Sequence, residues 1–297
     1  MAAHFEVTNN TASNPSIYVA AVAKSLPQAR PISDEVALGR IDEVTARRMA
    51  MRSVCVCDCS GPPADHAVEA ARVAVPGSAA LGATGPFVAS LHASMWHQGF
   101  DMWSAASYVQ RGALDQGCFS LDISQLSSGG MAGLELGARQ LRGHRDPARV
   151  LVTTADRFAL PGIDRWRTDP GTLLGDGGTA LVLSNETGFA ELLSVTSIPD
   201  PELESMSRGN DKPSDVPLAT RMPVSMEAGR TAMVRRFGLA DFLERLQAGQ
   251  LGAYEQALAA AGVGHGEIRR HVVPHLGEPR MRHQFFVTLQ IDPEAST

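Results

Sequence analysis

Three short stretches of this sequence carry residues that can do chemistry. Ser127 stands in Leu126-Ser127-Ser128-Gly129-Gly130, where small residues let the backbone bend tightly and leave room for a ligand. A short apolar run at residues 119–123 arrives at the bend as a strand. Beyond it, Met131, Leu134, Leu136, Ala138 and Leu141 are spread round most of a helix circumference. That pattern reads as a buried helix, with Gly130, Gly133 and Gly137 admitting close neighbours. A hydroxyl at its start would meet free N–H groups and the positive end of the macrodipole, which favour a developing negative charge. The same position suits a plain N-cap. His275 ends Val272-Val273-Pro274-His275, read as a strand at residues 270–274 that delivers an imidazole. Serine is protonated at neutral pH and needs such a base to attack a carbonyl, and histidine titrates in the right range. The competing reading of His275 is a structural histidine. Asp176, between Gly175 and Gly177, reads as structural: the glycines permit a turn and the carboxylate can accept backbone N–H groups there.

The elements around these residues alternate. Strands are expected at residues 17–23, 54–59, 86–91, 119–123, 149–154 and 178–184, and helices at 33–51, 64–75, 104–114, 228–246 and 253–261, with a proline-rich loop at 199–223. Ala67, Ala70, Ala71 and Ala74 mark a helix built for close packing. Such alternation points to an α/β architecture.

Composition narrows the function classes. With 297 residues there is ample core for one large domain or two packed halves. A net charge of −6 and only two lysines, Lys24 and Lys212, exclude a nucleic-acid surface. No apolar stretch is long enough for a membrane span, and the N-terminus lacks a signal pattern, so a cytoplasmic location is expected. Four cysteines do not make a disulfide scaffold at this size. Cys55, Cys57 and Cys59 share one face of a strand with no matching ligand pair nearby, so they are read as small buried side chains rather than a metal site.

Taken in order, the Ser127 bend, the Gly175-Asp176-Gly177 turn and the Val-Val-Pro-His275 segment resemble the β-ketoacyl synthase III family. The resemblance runs from about residue 16 to the end. It is strongest to the subgroup of polyketide starter-unit ketosynthases and acyltransferases, through residues 92–103, Ala155-Asp156-Arg157-Phe158 and Asp164-Arg165-Trp166. The resemblance implies a thiolase-like, layered αβαβα fold of two pseudo-symmetric halves, the second apparently shortened. It divides the chain into a tail (1–15), a nucleophile-bearing half (16–185) and a histidine-bearing half (186–297). It implies that Ser127, where the family normally has cysteine, takes an acyl group from acyl-CoA or an acyl carrier protein. His275 would be the second catalytic residue, and Asp176, Gly175 and Gly177 would be structural beside the site. Trp96, His97 and Trp103 fall in the subgroup-like segment and read as pocket or entrance residues, or as core aromatics. Arg165 and Arg167 fall where the family meets the phosphopantetheine or nucleotide end of the donor; the plain reading is solvated charge. No cofactor or metal is implied. Malonyl carrier protein is a further expected partner, and a homodimer is expected. The Asn or Asp and the Gly-rich turn that follow the histidine in the family are not found after His275, leaving the third catalytic residue unassigned. Condensation, simple acyl transfer and a non-catalytic partner of a true synthase are the three activities these features allow.

Overall fold

The computed structural model describes residues 15–216 and 221–296; the expected tail lies almost wholly outside them. The strands are β1 (Tyr18–Ser25), β2 (Ala29–Pro31), β3 (Ser53–Cys55), β4 (Phe87–Ala93), β5 (Phe119–Ile123), β6 (Arg149–Asp156), β7 (Gly177–Ser184) and β8 (Ala190–Glu191). The helices are α1 (Ile32–Ala37), α2 (Glu43–Met49), α3 (Ala64–Ala80), α4 (Ala105–Ala113), α5 (Gly129–Arg142), α6 (Glu227–Phe237), α7 (Leu239–Ala261) and α8 (Glu278–Met281).

Six strands form one mixed sheet in the order β5-β4-β6-β7-β1-β8, with β4 parallel to β5 and β6, and β7 antiparallel to β6 and β1. Alternation along β6 splits the core. Leu151 and Ala155 pack under α3 and α4 with Ala67, Ala70, Ala71 and Ala74, while Val150 and Val152 face α5 with Ala138 and Leu141. This layered mixed α/β arrangement is the expected thiolase-like fold.

Glycines decide how closely α5 approaches the sheet. A Cβ on Gly129 would lie 2.9 Å from Ala93 Cβ, one on Gly133 2.8 Å from Val152 Cγ1, and one on Gly137 3.0 Å from Leu183 Cδ1. The expected glycine packing is therefore present, but the helix is not apolar all round. Met131 is 57% and Leu136 43% exposed, and α5 presents one buried stripe rather than a buried circumference.

Several boundaries shift. The single helix expected at 33–51 is two, broken where Gly39 takes a φ of +68° and Asp42 caps α2 through Thr45 N–H. The break between the later helices falls at Gly238, with α7 running unbroken through 247–252. Residues 270–274 are not a strand: His271 forms an isolated bridge to Ser296, and the chain continues extended into α8. Among the described residues of 186–297, β8 alone joins the sheet.

Gly133→Ala is expected to destabilise the chain by about 1–2 kcal/mol, since overpacking outweighs the helix-propensity gain. Val152→Ala removes the clashing methyl, so the double variant should lose less stability than the sum of the two single losses in urea unfolding.

Candidate active site

Ser127 follows β5 directly. The chain leaves Ile123, whose carbonyl accepts from Ser94 N–H at 3.3 Å, and enters a 3₁₀ turn at Leu126–Ser128 before α5. Leu126 has a φ of +47°, an uncommon conformation for a side chain of its size and one that clusters at functional sites. The turn's hydrogen bonds run from Ser128 N–H to Gln125 and from Gly129 N–H to Leu126. Ser127 is exposed at the C-terminal ends of the parallel strands, two residues before the glycine that packs on Ala93.

Asp176 braces the neighbouring wall. It is 2% exposed and accepts from Cys57 N–H and Phe158 N–H, each at 2.8 Å, and from both Arg165 terminal nitrogens at 2.9 Å. Gly177 beside it has a φ of +147° and room for no Cβ, which would sit 2.7 Å from Leu26 Cδ2. Asp176 thus spends both carboxylate oxygens on contacts within the protein. Arg165 is a correction. It is 8% exposed, and besides Asp176 its terminal nitrogens donate to the Phe158 and Leu174 carbonyls, so both are engaged within the protein. It holds the wall rather than reaching for a phosphate.

That wall lines a cleft of about 360 Å³ whose other residues include Arg30, Arg40, Asp58, Leu160, Trp166 and Arg167. Arg167 is exposed there and pairs with Asp164 at 3.0 Å. Arg40 pairs with the buried Glu35 at 2.8 Å, and Arg30 with Asp58. Arg30 and Arg40 were not anticipated; nothing in their spacing distinguishes them, because the cleft is assembled from segments more than a hundred residues apart.

The His92–Trp103 segment is held from below. Asp156, ending β6, accepts from Met95 N–H at 2.9 Å and from Trp96 N–H at 2.9 Å. Burial pushes its carboxyl up to about 6, against the pull of those N–H groups. His92 is 1% exposed; its Nδ1 meets Thr153 Oγ1 at 3.0 Å and burial lowers its pKa. Trp96 is half-buried and His97 exposed. Trp103, half-buried, stacks edge-on with Phe100 and leans on Tyr108 at the α3–α4 core, which favours the core-aromatic reading of the two. Asp156 was legible only as part of its four-residue motif; its role depends on the β4–β6 register.

Comparison with known proteins decides what this arrangement is. Residues 121–201 match the family model described as 3-oxoacyl-[acyl-carrier-protein (ACP)] synthase III. The acyltransferase ChlB3 is 30% identical with a TM-score of 0.86, over 95% of this chain and 82% of its own. The chain belongs to the ketoacyl synthase III-like family. The synthase III of Pseudomonas aeruginosa shares the fold at 17% identity and a TM-score of 0.69, covering 95% and 82% of the two chains. So does a cysteine-to-serine variant of Xanthomonas campestris OleA with bound lauric acid and lauroyl-CoA, at 18% and 0.68, covering 96% and 85%. No curated protein matches.

In this family member, the segment carrying His275 is tied to the turn at residues 169–171. Gly277 N–H donates to Gly171 at 3.2 Å, and Arg280 forks onto Asp169 at 2.7 and 3.0 Å, where Arg230 joins at 3.0 Å. His275 itself is exposed on extended chain. Among the described residues no hydrogen bond joins it to Ser127.

Asp156 gives the site a pH signature. Its folded pKa lies above the ordinary carboxylate value of 3.8, so its contribution to stability is full below about pH 4 and is lost as pH rises through 6. The loss is on the order of 3 kcal/mol at most. Asp156→Asn should flatten the change in melting temperature between pH 4 and 7; an unchanged profile would remove Asp156 as its source.

Proposed function

We propose that this chain takes an acyl group from acyl-CoA or an acyl carrier protein onto Ser127 Oγ. It would act in the cytoplasm as a ketosynthase III-like starter-unit enzyme of polyketide or antibiotic biosynthesis. The observation that carries this reading is Ser127 exposed after the strained Leu126, at the start of a fourteen-residue helix and the ends of three parallel strands.

In the proposed step, Ser127 Oγ bonds to the thioester carbonyl carbon while His275 accepts the hydroxyl proton. Charge collects on the carbonyl oxygen, where the Ser127 N–H, at the unpaired start of the turn, can donate. The C–S bond then breaks, His275 returns the proton to the departing thiolate, and an oxygen ester remains on Ser127. Catalytic hydrogen bonds often tighten only with substrate in place, so the separate settings of the two residues here are compatible with this role. Arg30, Arg40 and Arg167 around the cleft offer charge to the anionic end of the donor. Trp96 and His97, on the loop braced by Asp156, are proposed to border the acyl end.

The second half-reaction is either transfer to a carrier protein or small-molecule acceptor, or condensation with malonyl carrier protein after loss of carbon dioxide. The likeness to ChlB3, an acyltransferase, favours transfer. We further propose a homodimer, because β5 is a sheet edge and Phe119, Leu121, Leu126 and Met131 leave an apolar strip beside it.

Intact-mass analysis after incubation with short acyl-CoAs should show one acyl group on the wild type and none on Ser127→Ala. Acyl mass retained by the variant on Cys118 or another thiol would overturn the assignment. A wild type that takes no acyl group from CoA or carrier protein would support the non-catalytic partner. Light scattering should give the mass of two chains, and Phe119→Asp with Leu121→Asp should give the mass of one; a monomeric wild type contradicts the dimer.

A further inference from the structure

The segment leaving β3 contains an arrangement that the acyl-transfer reading does not use. Contrary to the expectation of small buried side chains, Cys57 is half-buried and Cys59 exposed. Their sulfurs are bonded to each other, while Cys55 and Cys118 are free thiols. The missing ligand partner is His66, in the first turn of α3 and seven residues after Cys59, within reach because β3 ends at Cys55 rather than running through Cys59.

The sulfurs of Cys57 and Cys59 and a ring nitrogen of His66 all lie within 4.8 Å of one another. His66 Nε2 is 4.0 Å from Cys59 Sγ; donors across a tetrahedral zinc ion stand roughly 3.5–3.8 Å apart, given bond lengths of ~2.0–2.3 Å. A second observation points the same way. Ser25 Oγ donates to Glu69 Oε2 at 2.6 Å, so its lone pair accepts from His66 Nδ1–H at 3.0 Å. That chain fixes the tautomer and turns a bare Nε2 lone pair toward the sulfurs, the orienting contact that metal-binding histidines use. A disulfide has no need of it. Cys59 N–H also donates to Cys57 Sγ at 3.1 Å, which stabilises a thiolate. Arg157, whose Nη1 is 3.8 Å from Cys59 Sγ and bonds the Cys59 and Gly61 carbonyls, favours thiolate as well, though its charge opposes a cation.

We propose that the reduced Cys57–Cys59 pair and His66 form a three-ligand site for a thiophilic divalent cation of the Zn2+ class, its fourth position open to solvent. Binding releases one proton from each thiol and moves no electrons. Because Cys57 N–H is held by Asp176 and Cys57 lines the cleft, the ion would clip the cleft rim to α3.

The test uses the full chain, reduced anaerobically by a phosphine, which leaves as its oxide, and then titrated with Co2+. One equivalent should bind with a thiolate-to-cobalt charge-transfer band, and Zn2+ should displace it. Cys57→Ser and Cys59→Ser should each abolish the band, and Ser25→Ala should weaken binding about tenfold. Far-ultraviolet dichroism checks that the variants are folded. A missing band, reclosure of the disulfide without metal uptake, or an undiminished band in the Cys57→Ser/Cys59→Ser double variant would each overturn the site.

Discussion

The buried Asp176–Arg165 pair is the contact on which the site's geometry rests. One carboxylate, nearly sealed from solvent, gathers the chain after β3, the chain after β6, the 158–167 segment and the entry to β7. Taking two charges out of water costs several kcal/mol each, and only complete pairing offsets it. Here the offset is complete in geometry: two backbone N–H groups and a bidentate guanidinium meet the carboxylate, and two carbonyls accept from the same terminal nitrogens of the arginine. The pair fixes where the cleft wall stands more than it stabilises the fold.

The setting of Ser127 follows from a second constraint, the closeness of α5 to the sheet. Three glycines at four-residue intervals let the helix lie against Ala93, Val152 and Leu183, and Ser127 is carried to the strand ends by that contact. The face of α5 turned from the sheet exposes Met131 and Leu136 beside Arg139, Gln140 and Arg142, and β5 is an edge of the sheet. Helix start, strained Leu126 and open edge thus occur together, and they are consequences of one packing decision.

Local pattern made much of this legible. The strand before Ser127, the glycine spacing after it and the alanine face of α3 all depend on neighbours close in sequence. What stayed hidden depends on distant ones. Arg165 looked free because its partner arrives from the far side of a turn, and the choice between pocket and core for Trp103 stayed open because its packing on Tyr108 and α3 is not written in the segment. His66 was not seen as a partner for Cys59, seven residues before it, because the strand expected to run through Cys59 ends at Cys55 and the chain turns toward α3 instead. The apolar residues of α5 suggested full burial, but an exposed apolar face produces the same pattern.

The central claim is that His275 serves Ser127 as its base, and a double-mutant cycle tests it most directly. Single-turnover acylation would be measured for Ser127 and Ser127→Cys chains, each with and without His275→Ala. A thiol is already a few per cent thiolate at pH 7 and needs the base less. The account therefore requires a loss of several kcal/mol of transition-state stabilisation with serine and a clearly smaller loss with cysteine. Equal losses in both backgrounds, or none in either, would contradict it.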